Sequence, residues 1–300
     1  MQLSDLLEKV KSLSPLPPVV MKALRLIREE APVSRLQSVI SNDPSLTAKI
    51  LRLANSAYYG LPRRVETLSE AIVVLGMDTL RNVLLAAAAY HTMGRAAQGY
   101  MLKEGELWIH SVFAAYIADN VFLKLLKRKG EFAERVKSSH AGISRLEEMV
   151  YLAALLHDIG KVALSDFMED SLQTVKEKLA LGENFLEVEK EVTGFSHPEA
   201  GAVVMEAWNF PDVYKETIGA HHNPSLLKND ALLIAAVVHA ADMTSVKGGV
   251  GTGIDGMYYE WDFGSLEEVG ISQDILEESL FETMPFIEDL EEFVAMGLER

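Results

Sequence analysis

Apolar residues recur at three- and four-residue spacing along nearly the whole chain, and the two-residue alternation of a half-buried strand is almost missing. That period gathers the apolar side chains of each segment on one helical face, so the pattern predicts an all-α protein. Residues 19–27, 46–54 and 148–156 read as helices with at least one buried face. Their punctuation agrees. Asp43 stands as an N-cap before Pro44 at the first helical position, and Asp78 suits a cap for the helix running toward Tyr90. Gly60-Leu61-Pro62 and Gly76 read as helix stops.

Three regions follow from this pass. Residues 1–100 form an N-terminal helical subdomain that includes the proline-rich run Ser14-Pro15-Leu16-Pro17-Pro18. Residues 101–246 hold nearly all the histidines, and from Lys247 the stretch GGVGTGIDG separates a short acidic helical segment reaching residue 300. That stretch lacks the GK[ST] and the preceding strand of a phosphate loop, so it reads as a flexible connector.

Composition narrows the function classes. A hydrophobic fraction of 49% and a charged fraction of 24% are those of a soluble globular protein. The 28 Lys and Arg face 44 Asp and Glu, a net charge of −16, which repels phosphate backbones and anionic lipid. Neither nucleic acid nor membrane is therefore an expected partner. The chain has no cysteine, which excludes disulfides, zinc ribbons, iron–sulfur clusters and a thiol nucleophile. Any metal must be held by nitrogen and oxygen, a set that suits iron, manganese, magnesium or a catalytic zinc, with iron the first choice and manganese or zinc next. The opening MQLSDLLEKVKSL is an amphipathic helix start without the flanks of a signal peptide, and the apolar stretch 231–238 is too short to span a bilayer. A cytoplasmic location is expected.

The candidate chemistry lies in histidines and carboxylates set against apolar runs, where an unpartnered polar side chain carries a large desolvation cost. LLHDIGK holds His157 and Asp158, AHHNP holds His221 and His222, and HAAD ends in Asp242. Successive helical residues diverge by about 100°, so His157 can face one ion while Asp158 bridges toward a second. Lys161, three residues after Asp158 and four after His157, shares their face and can meet a phosphate or a bridging water. Glu106 and His110 in GELWIHS stand one turn apart, which aims both at one point. His197 completes the set; His91, His140 and His239 read as ordinary core or surface residues, with His239 a possible support for Asp242.

The segments SPLPPVV, SNDPSLTAKILRLANSAYYG and AIVVLGMDTLRNVLL resemble the HDOD family of the HD superfamily, found in bacterial signalling proteins. The resemblance runs from about residue 14 to 245 and implies a multi-helix HD bundle preceded by an N-terminal helical subdomain. HD phosphohydrolases carry a histidine, an HD pair and a later aspartate around a metal centre; these fall on His110, His157, Asp158 and Asp242. The HD-GYP branch adds positions that fall on Glu106, Lys161, His197, His221 and His222. The chain departs from that branch after His222, where NPSLLKND stands in place of the GYP turn. The resemblance thus implies two or more divalent ions on His110, His157, Asp158, His197, His221, His222 and Asp242, with Glu106 a ligand to a further ion or a proton acceptor. It implies a signal-transduction module with a protein partner or a phosphate-containing small molecule as ligand. The alternative is a metal-dependent phosphodiesterase acting on a nucleotide or cyclic dinucleotide, with Asp158 and Lys161 as catalytic residues.

Overall fold

The computed structural model describes residues 2–13, 16–61, 63–128, 130–139, 141–256 and 258–298. Ser14-Pro15, the Pro62 of one expected helix stop, and His140 lie outside the described residues. Among the described residues there is no β-strand, only an isolated antiparallel bridge between Ala97 and Leu102. The all-α expectation holds.

The compact units differ from the three contiguous regions expected. One unit comprises Ser14–Gly94 with Met284–Arg300, and the other comprises Met1–Leu13 with Arg95–Thr283. Both chain ends thus leave the segments they adjoin in sequence.

In the first unit, the helices Pro18–Arg28, Val33–Ile40 and Pro44–Ala54 pack with the helix Leu68–Met93. The helix Pro44–Ala54 starts as its sequence dictates: Asp43 Oδ1 accepts from the Leu46 amide at 2.9 Å and Pro44 follows at the first position. Gly76, with φ of 77° and ψ of 174°, breaks the helix Leu68–Met93 where the stop was expected. Asp78 does not act as the expected cap; it accepts from Arg81 Nη1 at 3.3 Å. The Asn55 side chain clamps Val65, donating to its carbonyl at 2.9 Å and accepting from its amide at 2.8 Å, which fixes the loop between them.

The second unit is built around the helix Asn229–Lys247, in which every residue from Ala231 through Ser245 is buried. A helix apolar on all sides must be surrounded, and Glu106–Lys127, Ile143–Leu156 and Asp212–Gly219 pack on it. Ile159–Glu169 and His197–Ala207 cross closely, joined by the opening helix Leu3–Ser12. Gly160 makes that crossing possible: a Cβ there would lie 1.9 Å from the His197 carbonyl oxygen and 2.7 Å from the Gly201 amide. The helices Leu68–Met93 and Glu106–Lys127 are long and apolar enough to cross a bilayer, longer than the 231–238 stretch the sequence drew attention to. In each, more than half of the most apolar window is buried.

Candidate metal centre

His157 and Asp158 sit at a break between helices rather than within one. His157 ends the helix Ile143–Leu156, and Asp158 takes the N-cap position of Ile159–Glu169 without capping it. The carboxylate is therefore free to point elsewhere. His197 opens the helix His197–Ala207, His221-His222 follows the helix Asp212–Gly219, His110 lies in the second turn of Glu106–Lys127, and Asp242 projects from the central helix. Helix ends let one element present adjacent residues in divergent directions, and four such ends meet here.

Seven of the eight expected ligand residues come together, none more than 8% exposed. His110 Nε2 lies 3.3 Å from His157 Nε2 and 3.1 Å from Asp242 Oδ1. Asp158 Oδ2 is 3.4 Å from His157 Nε2 and 3.6 Å from His110 Nε2. The other oxygen, Oδ1, is 3.5 Å from His197 Nε2, itself 3.1 Å from His222 Nε2. His221 belongs to two triads of close donor atoms, one with His197 and His222, the other with His157 and Asp242. Ligand bonds of about 2.0–2.2 Å put two donors on one ion roughly 3–3.5 Å apart, the spacing found here.

The outer nitrogens are tied down. The Nδ1 of His110 donates to the Val250 carbonyl at 3.0 Å, that of His157 to Ala154 at 2.7 Å, and that of His221 to Ile218 at 2.8 Å. His197 Nδ1 donates to Glu189 Oε2 at 2.9 Å, and the same oxygen accepts the His197 amide at 2.7 Å. Each contact turns Nε2 inward, the arrangement that outer partners impose on metal-binding imidazoles.

Inside the cluster, Asp158 Oδ1, Asp242 Oδ2, His221 Nε2 and His222 Nδ1 are buried without a hydrogen-bond partner. Burial holds His221 and His222 well below the usual imidazole range, so both stay neutral. Burial opposes ionisation of Asp158 and Asp242 too, but the neighbouring histidines, and Lys161 beside Asp158, outweigh it and hold both carboxyls well below their ordinary values. Burial likewise opposes charge on His157, yet Asp158 and Asp242 push it up to about 10. Neutral His221 and His222, ionised Asp158 and Asp242, and orphaned donor atoms in one dry volume fit divalent cations, which would take the place of the proton that the two carboxylates hold on His157.

Glu106 stands apart. As the first residue of its helix it accepts from the Lys103 amide at 2.7 Å, so the one-turn spacing to His110 does not bring the two side chains together. His239 does not support Asp242 through a hydrogen bond: its Nδ1 donates to the His221 carbonyl at 2.9 Å and its Nε2 accepts from the Asp262 amide at 2.9 Å.

The GGVGTGIDG stretch is not a loose connector. Val250 holds His110, and Gly251, at φ +61°, passes so close that a Cβ would lie 2.4 Å from the His110 Cβ. Asp255 Oδ2 lies 2.5 Å from Lys161 Nζ and accepts from the Tyr259 hydroxyl at 2.6 Å. Sequence reasoning missed Asp255, Tyr259, Tyr100 and Glu189. Glu189 left one trace: it stands one turn after Phe185, on the buried face of the helix Phe185–Thr193.

A closed histidine–aspartate centre at the meeting of helix ends defines a helical protein of the HD superfamily. The chain belongs to the HDOD domain family, whose pattern matches residues 13–224. A Treponema pallidum (strain Nichols) protein, itself uncharacterised, is 26% identical over 245 residues, 80% of this chain but 44% of that protein. The chain thus spans less than half the length of that relative. A crystal structure from Shewanella amazonensis SB2B, provisionally described as a phosphohydrolase, is 25% identical with a TM-score of 0.67, covering 96% of this chain and 98% of its own. One from Marinobacter aquaeolei VT8, provisionally described as a signal transduction protein, shares the fold at 20% identity and a TM-score of 0.68, over 98% of this chain and 65% of its own.

Proposed function

We propose that this chain is a regulatory protein of cytoplasmic bacterial signal transduction, held together by a centre of two or more divalent ions and acting through a protein partner. The observation that carries the metal reading is Asp158, whose two oxygens face two separate groups of imidazole nitrogens. One ion would take His110, His157, Asp242 and Asp158 Oδ2; the other would take His197, His222 and Asp158 Oδ1, with His221 available to either. Iron is the first choice, because imidazoles and carboxylates without thiolate suit it.

Burial favours regulation over turnover. No ligand residue is open to solvent, and Lys161, the cation expected to meet a phosphate, is already paired with two carboxylates. A second reading, a phosphohydrolase, is supported by the description of the Shewanella protein and by the nearness of Lys161 to Asp158. The ions would supply Lewis acidity toward a phosphate ester.

Elemental analysis of untagged protein purified without chelator tests the metal centre. Two or more equivalents of iron or manganese per chain are expected. Less than about half an equivalent, with no uptake on adding either metal, would overturn it.

A further inference from the structure

Lys161 is almost completely buried, which is costly for an ammonium unless its charge is met. It is met twice, by Asp158 Oδ2 at 2.7 Å and by Asp255 Oδ2 at 2.5 Å, and the Tyr100 and Tyr259 rings flank it with centroids 5.8 Å away. Asp158 belongs to the metal cluster, so its share in this contact comes with the site. Asp255 does not: it is in none of the close donor groups, and it reaches Lys161 from the glycine-rich stretch.

That stretch is fitted to deliver it. Gly253 lets the backbone pass Tyr100, where a Cβ would lie 2.4 Å from the Tyr100 carbonyl, and the next amide, Ile254, donates to that same oxygen at 2.9 Å. Beyond Asp255, the Tyr259 hydroxyl donates to its carboxylate while the Tyr259 ring stacks on His222 at 3.9 Å. The Tyr100 hydroxyl is committed to Glu189. The two tyrosine hydroxyls beside Lys161 are therefore both committed, that of Tyr259 to Asp255 and that of Tyr100 to the carboxylate that holds His197.

We infer that Asp255 is an internal anion occupying the ligand position beside Lys161, so that an external phosphate reaches the centre only by displacing it. The inference rests on the proposed metal centre for its biological meaning, but the competition itself is between two anions for one lysine. Asp255 then sets a threshold: ligands carrying a phosphate dianion, with more charge and more acceptor oxygens than a carboxylate, displace it, and weaker anions do not.

Orthophosphate is the probe. Asp255→Asn removes the competing charge while keeping the side-chain size, and Tyr259→Phe removes only the hydroxyl that holds the carboxylate. Binding is measured by calorimetry, and amide hydrogen exchange of residues 250–256 reports whether the Ile254 contact is released. Both are measured on manganese-loaded and on metal-stripped protein.

Asp255→Asn should bind orthophosphate at least about tenfold more tightly than the unaltered chain, with Tyr259→Phe between them. In the unaltered chain, phosphate should accelerate exchange at 250–256. Equal affinity in the unaltered chain and Asp255→Asn, or phosphate binding without faster exchange, overturns the inference. A chain that takes up no manganese yet shows the Asp255 effect in the stripped state would defeat the metal reading and leave this one standing.

Discussion

Asp158 and Glu189 do their work as single residues. Asp158 turns one oxygen to His110 and His157 and the other to His197, so Asp158→Ala should leave less than about half an equivalent of metal in a protein that still folds, by elemental analysis beside circular dichroism. Retention of the full content would show that Asp158 is no bridge. Glu189 touches no candidate ligand atom facing inward; it fixes the ring of His197 from outside. Glu189→Ala should weaken metal affinity by about 10- to 100-fold, the usual effect of losing such an outer partner. Glu106→Ala, one turn before His110 but turned to the Lys103 amide, should leave metal content unchanged.

At the scale of elements, the crossing of Ile159–Glu169 on His197–Ala207 decides whether His197 meets Asp158 at all. Gly160→Ala would put a methyl group against the His197 carbonyl and force the helices apart. The expected cost is about 1–3 kcal/mol by chemical denaturation, accompanied by loss of metal. Asp43→Ala offers the contrast. Removing that cap should cost about 1 kcal/mol and leave metal content unchanged, because Asp43 belongs to the other compact unit. If the two variants lost stability and metal in the same proportion, the centre would depend on global stability rather than on this crossing.

For the molecule as a whole, the proposed metal centre would draw ligands from five helical elements and so couple binding to folding. Chelation should lower the melting temperature and speed amide exchange in the Arg95–Thr283 segment. The pH dependence has a definite sign. An ion would have to displace the proton that Asp158 and Asp242 hold on His157, so uptake should release a proton and apparent affinity should fall as pH is lowered from about 10. Metal titrations between pH 8 and about pH 5 check this; affinity independent of pH would argue against histidine ligation.

The helical period and the local pairs His157-Asp158 and His221-His222, with Lys161 one turn on, were legible because they depend on spacing within one element or across one helix break. The same local logic misplaced Glu106, since spacing fixes direction on a helix but not the orphan amides at its first turn that compete for a carboxylate. Grouping by sequence also could not show that Leu3–Ser12 packs with the unit holding the histidine cluster and Phe286–Leu298 with the other. Glu189 on His197, Val250 on His110 and Asp255 on Lys161 were decided by tertiary structure alone. Each joins segments whose own patterns say nothing about the partner, and each exists because a glycine or a helix end lets two backbones approach. The sequence by itself determined an all-helical chain carrying most of the candidate donor set. Only the fold decided which donors converge, which one turns away, and which aspartate closes over the lysine.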